Sequence, residues 1–340
     1  MKYLFWSIGG LVLVLGIGSG MFLNTVRQPE SAVKTTTTFV VNDRDKVRAV
    51  AAHLYQQHLI SAPWKFNLYV LLIGARSSLQ KGTYVFPAHQ SIRQIVHALT
   101  IGPNPDNVWV TIKEGQTNLE IAELLGANQV MARNVFLDAV KQPASLPDLK
   151  LDTYAWLPNQ LPTSGLEGFL FPDTYNFFKN STASQVLKKF LDNFDRKFST
   201  DLRQATTTSG HSVYEEVIMA SILEAELQSA RDRAMAADIF WRRIGAGTGL
   251  NADTTVLFAI GKKNHVLTAA DLQIDSPYNT YRNRGLPPGP IGNPGLSALE
   301  AAVHPVANEY WYYLTAPSGQ TIFAKTLEEQ AQNKKKYLGR

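Results

Sequence analysis

The chain has 340 residues and no cysteine. That excludes disulfides, thiol nucleophiles and thiolate-held metal ions. Its seven histidines (53, 58, 89, 97, 211, 265 and 304) are scattered, with no HExxH pair and no metal-ligand spacing. Neither a metal site nor a cofactor is therefore expected. His304, just before Pro305, reads as a packed or capping residue rather than a base. Charge is modest: 33 Lys and Arg against 28 Asp and Glu, a net +5. No basic cluster occurs before Lys334-Lys335-Lys336, and that trio reads as a solvated helix end, so no nucleic-acid partner is expected. A mild positive balance suits anionic lipid headgroups or wall polymers. Gly245-Ala246-Gly247-Thr248-Gly249 follows a helical segment and precedes no clear helix, so it reads as a helix-terminating turn and not a phosphate cradle.

Charge is also missing from Tyr3 to Leu23, where Leu, Val, Ile, Phe, Trp and Gly dominate. About 20 apolar residues span a hydrocarbon core. A cleaved secretory signal has a shorter apolar region, roughly 7–15 residues, ending in small residues. Here the run ends in Met21-Phe22-Leu23-Asn24, a poor cleavage site. The expectation is a retained transmembrane anchor over residues 1–24, with everything after it translocated. Glu30 to Thr38 is polar and Thr-rich without apolar periodicity, which gives a tether over residues 25–38. The remainder is long enough for two domains.

Three segments beyond the tether share one pattern. Phe39-Val40-Val41, Tyr84-Val85-Phe86 and Val110-Thr111-Ile112 each precede a polar turn. Apolar residues at helical spacing follow: Val47, Val50, Ala51 and Leu54; then Ile92, Ile95, Val96 and Leu99; then Leu119, Ile121, Ala122, Leu124 and Leu125. Each reads as strand, turn and amphipathic helix, giving an α+β class. From Pro143 to Gly168 prolines interrupt any helix, which puts a domain boundary near residue 155. Leu166 to Phe171 reads as a buried strand ending at Pro172, and Gln185 to Phe198 as an amphipathic helix.

The segment from Ser212 to Gln228 reads as a helix buried on nearly all sides. With Val213 at zero on a wheel of about 100° per residue, Glu224 falls near 20°, inside a stripe of Val213, Val217, Ala220 and Leu227. A carboxylate there is costly unless paired or used. Two readings stand: a buried salt bridge to Arg231, Arg233 or Arg242, or a working acid. Glu226 lies on the opposite side of the wheel.

Between Asp275 and Gly295, prolines and glycines are too dense for a helix or sheet interior. Ser276-Pro277-Tyr278-Asn279-Thr280-Tyr281 is followed by Gly285-Leu286-Pro287-Pro288-Gly289-Pro290-Ile291 and by Asn293-Pro294-Gly295. A loop stiffened by proline and carrying rings and amides suits a polar ligand such as a sugar chain; a structural loop clamped to the surface is the alternative.

These runs resemble the signature of the endolytic murein transglycosylases, the YceG-like family of bacterial envelope enzymes. Glu167-Gly168-Phe169-Leu170-Phe171-Pro172-Asp173-Thr174-Tyr175 resembles the segment that opens their catalytic domain. Ala220-Ser221-Ile222-Leu223-Glu224-Ala225-Glu226 resembles their catalytic helix, which maps the family's acid onto Glu224. The strand–turn–helix units resemble LysM-like glycan-binding modules. The chain departs from the pattern at Asn251-Ala252-Asp253-Thr254-Thr255, where a Gln and a Pro are usual, and at Leu227, where Thr is common. The resemblance implies a membrane anchor, a LysM-like α+β domain over residues 39–155 and a C-terminal α+β catalytic domain over 156–340. It also implies location in the inner membrane with the catalytic domain in the periplasm, and peptidoglycan synthases as partners. Glu224 is the implied catalytic residue; Glu226, Asn251, Asp253, Tyr278, Asn279, Asn293 and Glu167 are the candidates for substrate contact.

The implied reaction cuts the bond between N-acetylmuramic acid and N-acetylglucosamine in nascent glycan strands without water. The C6 hydroxyl of the muramoyl ring attacks its own C1 and leaves a 1,6-anhydro end. One carboxyl group then suffices, because the nucleophile belongs to the substrate. Such an acid must rest protonated, and apolar neighbours raise its pKa. Two alternatives remain: a hydrolytic muramidase pairing Glu224 with Asp253 or Glu167 as a second carboxylate, and a non-catalytic, membrane-tethered glycan-binding scaffold.

Overall fold

A computed structural model describes residues 22–29, 37–43, 45–103, 107–146, 148–158, 164–263 and 265–339. The expected anchor lies outside them, apart from Phe22 to Asn24. Among the described residues no helix is long and apolar enough to cross a membrane. The chain divides into two compact units, Met1–Trp109 and Val110–Arg340.

The first unit is built on one antiparallel pair. Strand β1 (Thr37–Val41) pairs with β2 (Gly82–Phe86), with Thr37 opposite Phe86 and Val41 opposite Gly82. Side chains alternate across a strand, so Phe39, Val41, Tyr84 and Phe86 are buried while Val40 and Val85 face outward. Helices α1 (Val47–Gln56) and α2 (Pro63–Leu72) lie between the strands in sequence, and α3 (Ile92–Ile101) follows β2. Pro63 opens α2, where a missing N–H costs nothing, and a Ser91–Gln94 capping box starts α3. Their apolar faces meet the strands in one core around Leu54, Phe66, Val70, Ile95 and Leu99. Of the expected tether only 25–29 and 37–38 lie among the described residues, and both ends are packed against the first unit. Val26 is fully buried, its carbonyl accepts from the Arg93 N–H at 3.1 Å, and Pro29 bridges to Ser91. Thr37 and Thr38 already belong to β1.

The division after Trp109 replaces the boundary expected near residue 155. Strand β3 (Asn107–Thr111) runs into the second unit, where the Ile112 N–H donates to the Asp173 carbonyl at 2.9 Å and Thr111 bonds Thr174 at the start of β4 (Thr174–Phe178). Helices α4 (Asn118–Ala127) and α5 (Arg133–Lys141) follow β3, so the third strand–turn–helix segment belongs with the second unit. The proline-rich stretch is no linker. Tyr154 and Trp156 are buried and donate to Asp192 and Asp195 of α6 (Ala183–Lys197) at 2.7 and 2.8 Å. The expected strand over Leu166–Phe171 is instead a run of turns, with Gly165 and Gly168 at φ of 61° and 89°. A Cβ on Gly168 would sit 2.6 Å from the Pro290 ring, so the apolar residues pack in consecutive turns rather than on a strand face.

Further helices and a hairpin follow in the second unit: α7 (Thr200–Ser209), α8 (Val213–Glu226), α9 (Ala230–Gly245), α10 (Asp253–Ala259) and α11 (Leu296–Val303), then β5 (Tyr312–Thr315) paired with β6 (Thr321–Ala324), and α12 (Leu327–Leu338). Helix α8 starts at a Ser212–Glu215 capping box and buries eight consecutive residues, Glu216 to Leu223. The glycine run after Ile244 closes α9 as a turn, with the Gly247 N–H on the Ile244 carbonyl. His304 is the C-terminal cap of α11.

Burial raises the carboxyl groups of Glu167, Glu216, Glu224 and Glu226 in this unit, Glu167 to about 8 and Glu216 to about 7. Each acid holds its proton more tightly folded than unfolded, where its value is 4.5. The folded state therefore binds more protons, and stability falls as pH rises through this window. Urea unfolding midpoints should decline from about pH 4.5 to about pH 8, and Glu167→Gln should flatten that decline. A midpoint that rises across the window, or an unchanged slope in the variant, would contradict the assignment.

Candidate functional site

Glu224 sits in the last turn of α8, with its side chain 6 % exposed. Its Oε1 pairs with an Nη of Arg233 at 2.5 Å, and its Oε2 accepts the Gly295 N–H at 3.0 Å. Arg233, on α9, also donates through Nε to the Leu227 carbonyl at 2.8 Å. It thus binds the carboxyl group and the frayed end of its helix together, because the chain turns extended at Leu227 and brings α9 back alongside. Burial is the largest influence on Glu224 and raises its pKa; the Gly295 amide and Arg233 pull it down, and the net shift is upward. Each oxygen has spent one lone pair on a protein donor, which leaves room for a proton.

Gly295 reaches Glu224 because of a buried amide two residues earlier. Asn293 is fully buried. Its Oδ1 accepts from the Leu170 N–H at 2.8 Å, and its Nδ2 donates to the Gln116 carbonyl and to Asn118 Oδ1, at 2.9 and 3.2 Å. Its backbone N–H donates to the Gln116 carbonyl and its carbonyl accepts from Gly115. Glu167 completes the knot by accepting the Asn118 N–H on both oxygens. Three distant segments (114–118, 167–170 and 291–295) are tied at one residue. The same loop is fastened to α8 where Ser221 accepts the Ile291 N–H and Tyr214 donates to the Pro288 carbonyl.

The remaining sequence candidates divide into two sets. Asn293, Glu167 and Asn279 turn inward. Asn279 is fully buried, donating to the Leu272 and Ile274 carbonyls and accepting the Tyr281 N–H, so these three hold the loop in place and offer nothing to a ligand. A proline-rich loop lacks regular backbone pairing, and its amides supply the missing partners. The other set faces outward or borders solvent. Glu226 accepts from the Thr254 N–H and hydroxyl and from the Tyr313 hydroxyl, which anchors the N-terminus of α10 beside the end of α8. Asp253 is exposed and accepts from the Tyr281 hydroxyl at 2.5 Å; Asn251 is exposed at φ 53°; Tyr278 is half-buried against Phe258.

Sequence reasoning missed Glu114. It is exposed, and its Oε1 lies so close to Gly295 that a Cβ there would be 1.9 Å away. Gly295 thus lies between the two carboxyl groups, with the Glu114 side chain against its α-carbon and its N–H on Glu224. From bond geometry the two groups are no more than about 7.5 Å apart. Glu114 also adds to the upward pull on Glu224. In the sequence it is one more polar residue in a turn, and only the knot at Asn293 brings it to α8.

With this geometry in view, comparison with known proteins is specific. The family model of the YceG-like family matches residues 39–336. The chain belongs to that family. It is 31 % identical over 331 residues to the endolytic murein transglycosylase of Bacillus subtilis, covering 96 % of this chain and 91 % of that one. It is 27 % identical over 323 residues to the endolytic murein transglycosylase of Streptococcus pneumoniae, covering 88 % of this chain and 58 % of the longer relative. Among solved structures it is similar to a YceG-like protein of Listeria monocytogenes, at 30 % identity and a TM-score of 0.57, over 88 % of this chain and 99 % of that one.

The knot predicts a large stability cost for a small change. Asn293→Ala strands the buried Leu170 N–H and Asn118 Oδ1 and takes one of two donors from the Gln116 carbonyl, and should destabilise the protein by about 2–4 kcal/mol in chemical denaturation. A cost below about 0.5 kcal/mol, the range of an ordinary surface substitution, would show that the knot does not organise the site.

Proposed function

We propose that this protein is a peptidoglycan lytic transglycosylase that cuts glycan strands internally, and that Glu224 carries the proton. The observation that carries the reading is Glu224 itself: a buried carboxyl group with its pKa raised by burial and held from two sides; the resemblance of residues 220–226 to the family's catalytic helix supports it. The relatives' names, endolytic murein transglycosylase, supply the reaction class.

In this reading the muramoyl–glucosaminyl bond lies over Glu224. The protonated carboxyl group donates to the leaving oxygen as the C1–O bond breaks. The resulting carboxylate takes the proton from the C6 hydroxyl as that oxygen closes on C1. No water is consumed, and the acid ends as it began. Arg233 and the Gly295 N–H steady the carboxylate midway through the cycle and fix its aim. Positive charge on the sugar ring is offset by Glu114, with Asp253 and Glu226 further along; Asn251, Tyr278 and Tyr281 are the polar and aromatic groups available to neighbouring sugars.

The apolar run from Tyr3 to Leu23 would hold the chain in the inner membrane as a single span, with both units in the periplasm. There it would meet nascent strands beside the synthases that make them and limit strand length. The first unit, with its two strands and the helices between and after them, would act as the LysM-like module, by binding glycan or by positioning the second.

One observation favours a second reading. Glu114 gives Glu224 the partner carboxylate that a hydrolytic muramidase needs, a role that Glu167, committed to the knot, does not fill.

Products decide between them. Mass spectrometry of muropeptides released from purified wall should show internal cuts with 1,6-anhydro ends, about 18 Da lighter than hydrolysed ends. Ordinary reducing ends would mean the muramidase, and glycan binding without new ends the scaffold. Glu224→Gln should lose at least about 100-fold in rate while unfolding near the wild-type midpoint, because Gln fills the same space and has no proton to give. Glu114→Gln should lose less, since it steadies charge without moving a proton. A Glu224→Gln enzyme with more than about a hundredth of wild-type activity would remove Glu224 from the mechanism.

A further inference from the structure

Helix α2 of the first unit is apolar on both faces. Phe66, Tyr69 and Val70 face the core. Trp64, Leu68, Leu71 and Leu72 fall at positions i, i+4, i+7 and i+8, which is one continuous stripe of a helix. That stripe faces solvent: Trp64 is 59 % exposed, Leu71 47 % and Leu72 54 %, with Ile73 beyond them at 48 %. Isolated exposed hydrophobic residues are ordinary, but a contiguous stripe marks a surface that something covers.

Two observations indicate what covers it. The charge-free run that begins at Tyr3 ends at Phe22 and Leu23, and the Phe22 ring lies against Trp64, with centroids 6.1 Å apart. The stripe therefore starts where the apolar run leaves off. The second is charge. Met1–Trp109 holds ten Lys and Arg against four Asp and Glu, whereas Val110–Arg340 holds 23 against 24. All the positive excess of the protein lies in the unit that bears the stripe. From Lys46 to Pro105 there is no acidic residue at all, while Lys65 follows Trp64 directly and Arg76 lies just beyond Ile73 on the chain. A tryptophan-led apolar face with basic neighbours is the pattern of helices that lie in a lipid–water interface of negative charge.

We propose that the first unit rests on the anionic surface of the lipid bilayer through the Trp64–Leu68–Leu71–Leu72 stripe of α2, continuing the contact that the N-terminal run makes within it. The proposal rests on the membrane-anchored reading above. It adds a second, peripheral attachment that would restrict how the first unit turns about the anchor, as the anchor alone could not.

The lack of cysteine makes the test direct, since one introduced thiol labels one site. Full-length Leu72→Cys, spin-labelled and reconstituted in lipid nanodiscs, reports depth by collision with lipid-soluble oxygen against a water-soluble nickel chelate. In discs of equal parts phosphatidylcholine and phosphatidylglycerol, the oxygen-to-nickel ratio should exceed that of Val266→Cys, an exposed site in the second unit, by at least about threefold. The ratio should fall in pure phosphatidylcholine. As a second readout on the unlabelled chain, brominated lipid should quench tryptophan emission, and Trp64→Phe should lose that part of the quenching.

Protein that enters the discs with a Leu72 label as wet as the Val266 label overturns the docking and leaves the anchor standing. Protein that enters no disc overturns both. Shielding of the label in detergent without bilayer, growing with protein concentration or on addition of purified wall, overturns it in favour of a second copy or of glycan.

Discussion

Everything at the candidate site depends on one buried side-chain amide. Asn293 satisfies backbone and side-chain groups from three segments that lie far apart in the chain, and it does so with no exposure to water. Inside a low-dielectric interior such a network holds tightly, because any member left unpaired carries the full cost of its lost hydration. The consequence is positional. With Asn293 fixed, Gly295 two residues later has its N–H on Glu224 and its α-carbon against Glu114. The proline-rich loop is therefore less a ligand-binding arm than a rigid strut that presents backbone to a carboxyl group.

The electrostatics at Glu224 are a balance, not a single effect. Burial in α8 disfavours the anion, while Arg233 and the Gly295 amide favour it. A site with burial alone would hold its proton too well to give it up, and one with the arginine alone would never carry it. An acid that must donate and then accept within one turnover needs both. The buried salt bridge and the working acid, which look like competing explanations of the same residue, are here parts of one device. Arg233 belongs to it in a further way, since its bond to the Leu227 carbonyl stops α8 where the acid must stand.

Much of this was legible in the sequence because it is local. The helix bearing Glu224, its start at Ser212, the strand–turn–helix segments and the turn after α9 follow from periodicity, capping residues and glycine. What the sequence left unread is long-range. Asn293 and Asn279 look like ligand-facing polar residues in a loop, and Glu167 like a polar residue on a strand, yet all three point inward because an irregular backbone needs internal partners. Glu114 looks like a turn residue until the knot brings it to α8. The boundary failed for a related reason: prolines at 143 and 158 break helices, but Tyr154 and Trp156 between them are anchored by their own hydrogen bonds to α6, so the stretch stays within the second unit. Composition marks where regular structure stops, and says little about whether the chain there is packed.

The central claim is that Glu224 rests protonated more readily than a free glutamate because of where the fold holds it. Carbon-13 NMR of the carboxyl carbons, with the Glu224 signal assigned by its absence in Glu224→Gln, measures this without reference to turnover. The account predicts a titration midpoint above the ordinary 4.5 for Glu224 in the folded protein. A midpoint at or below 4.5 would mean that Arg233 and Gly295 outweigh burial, and that Glu224 is a structural anion rather than the acid of this site.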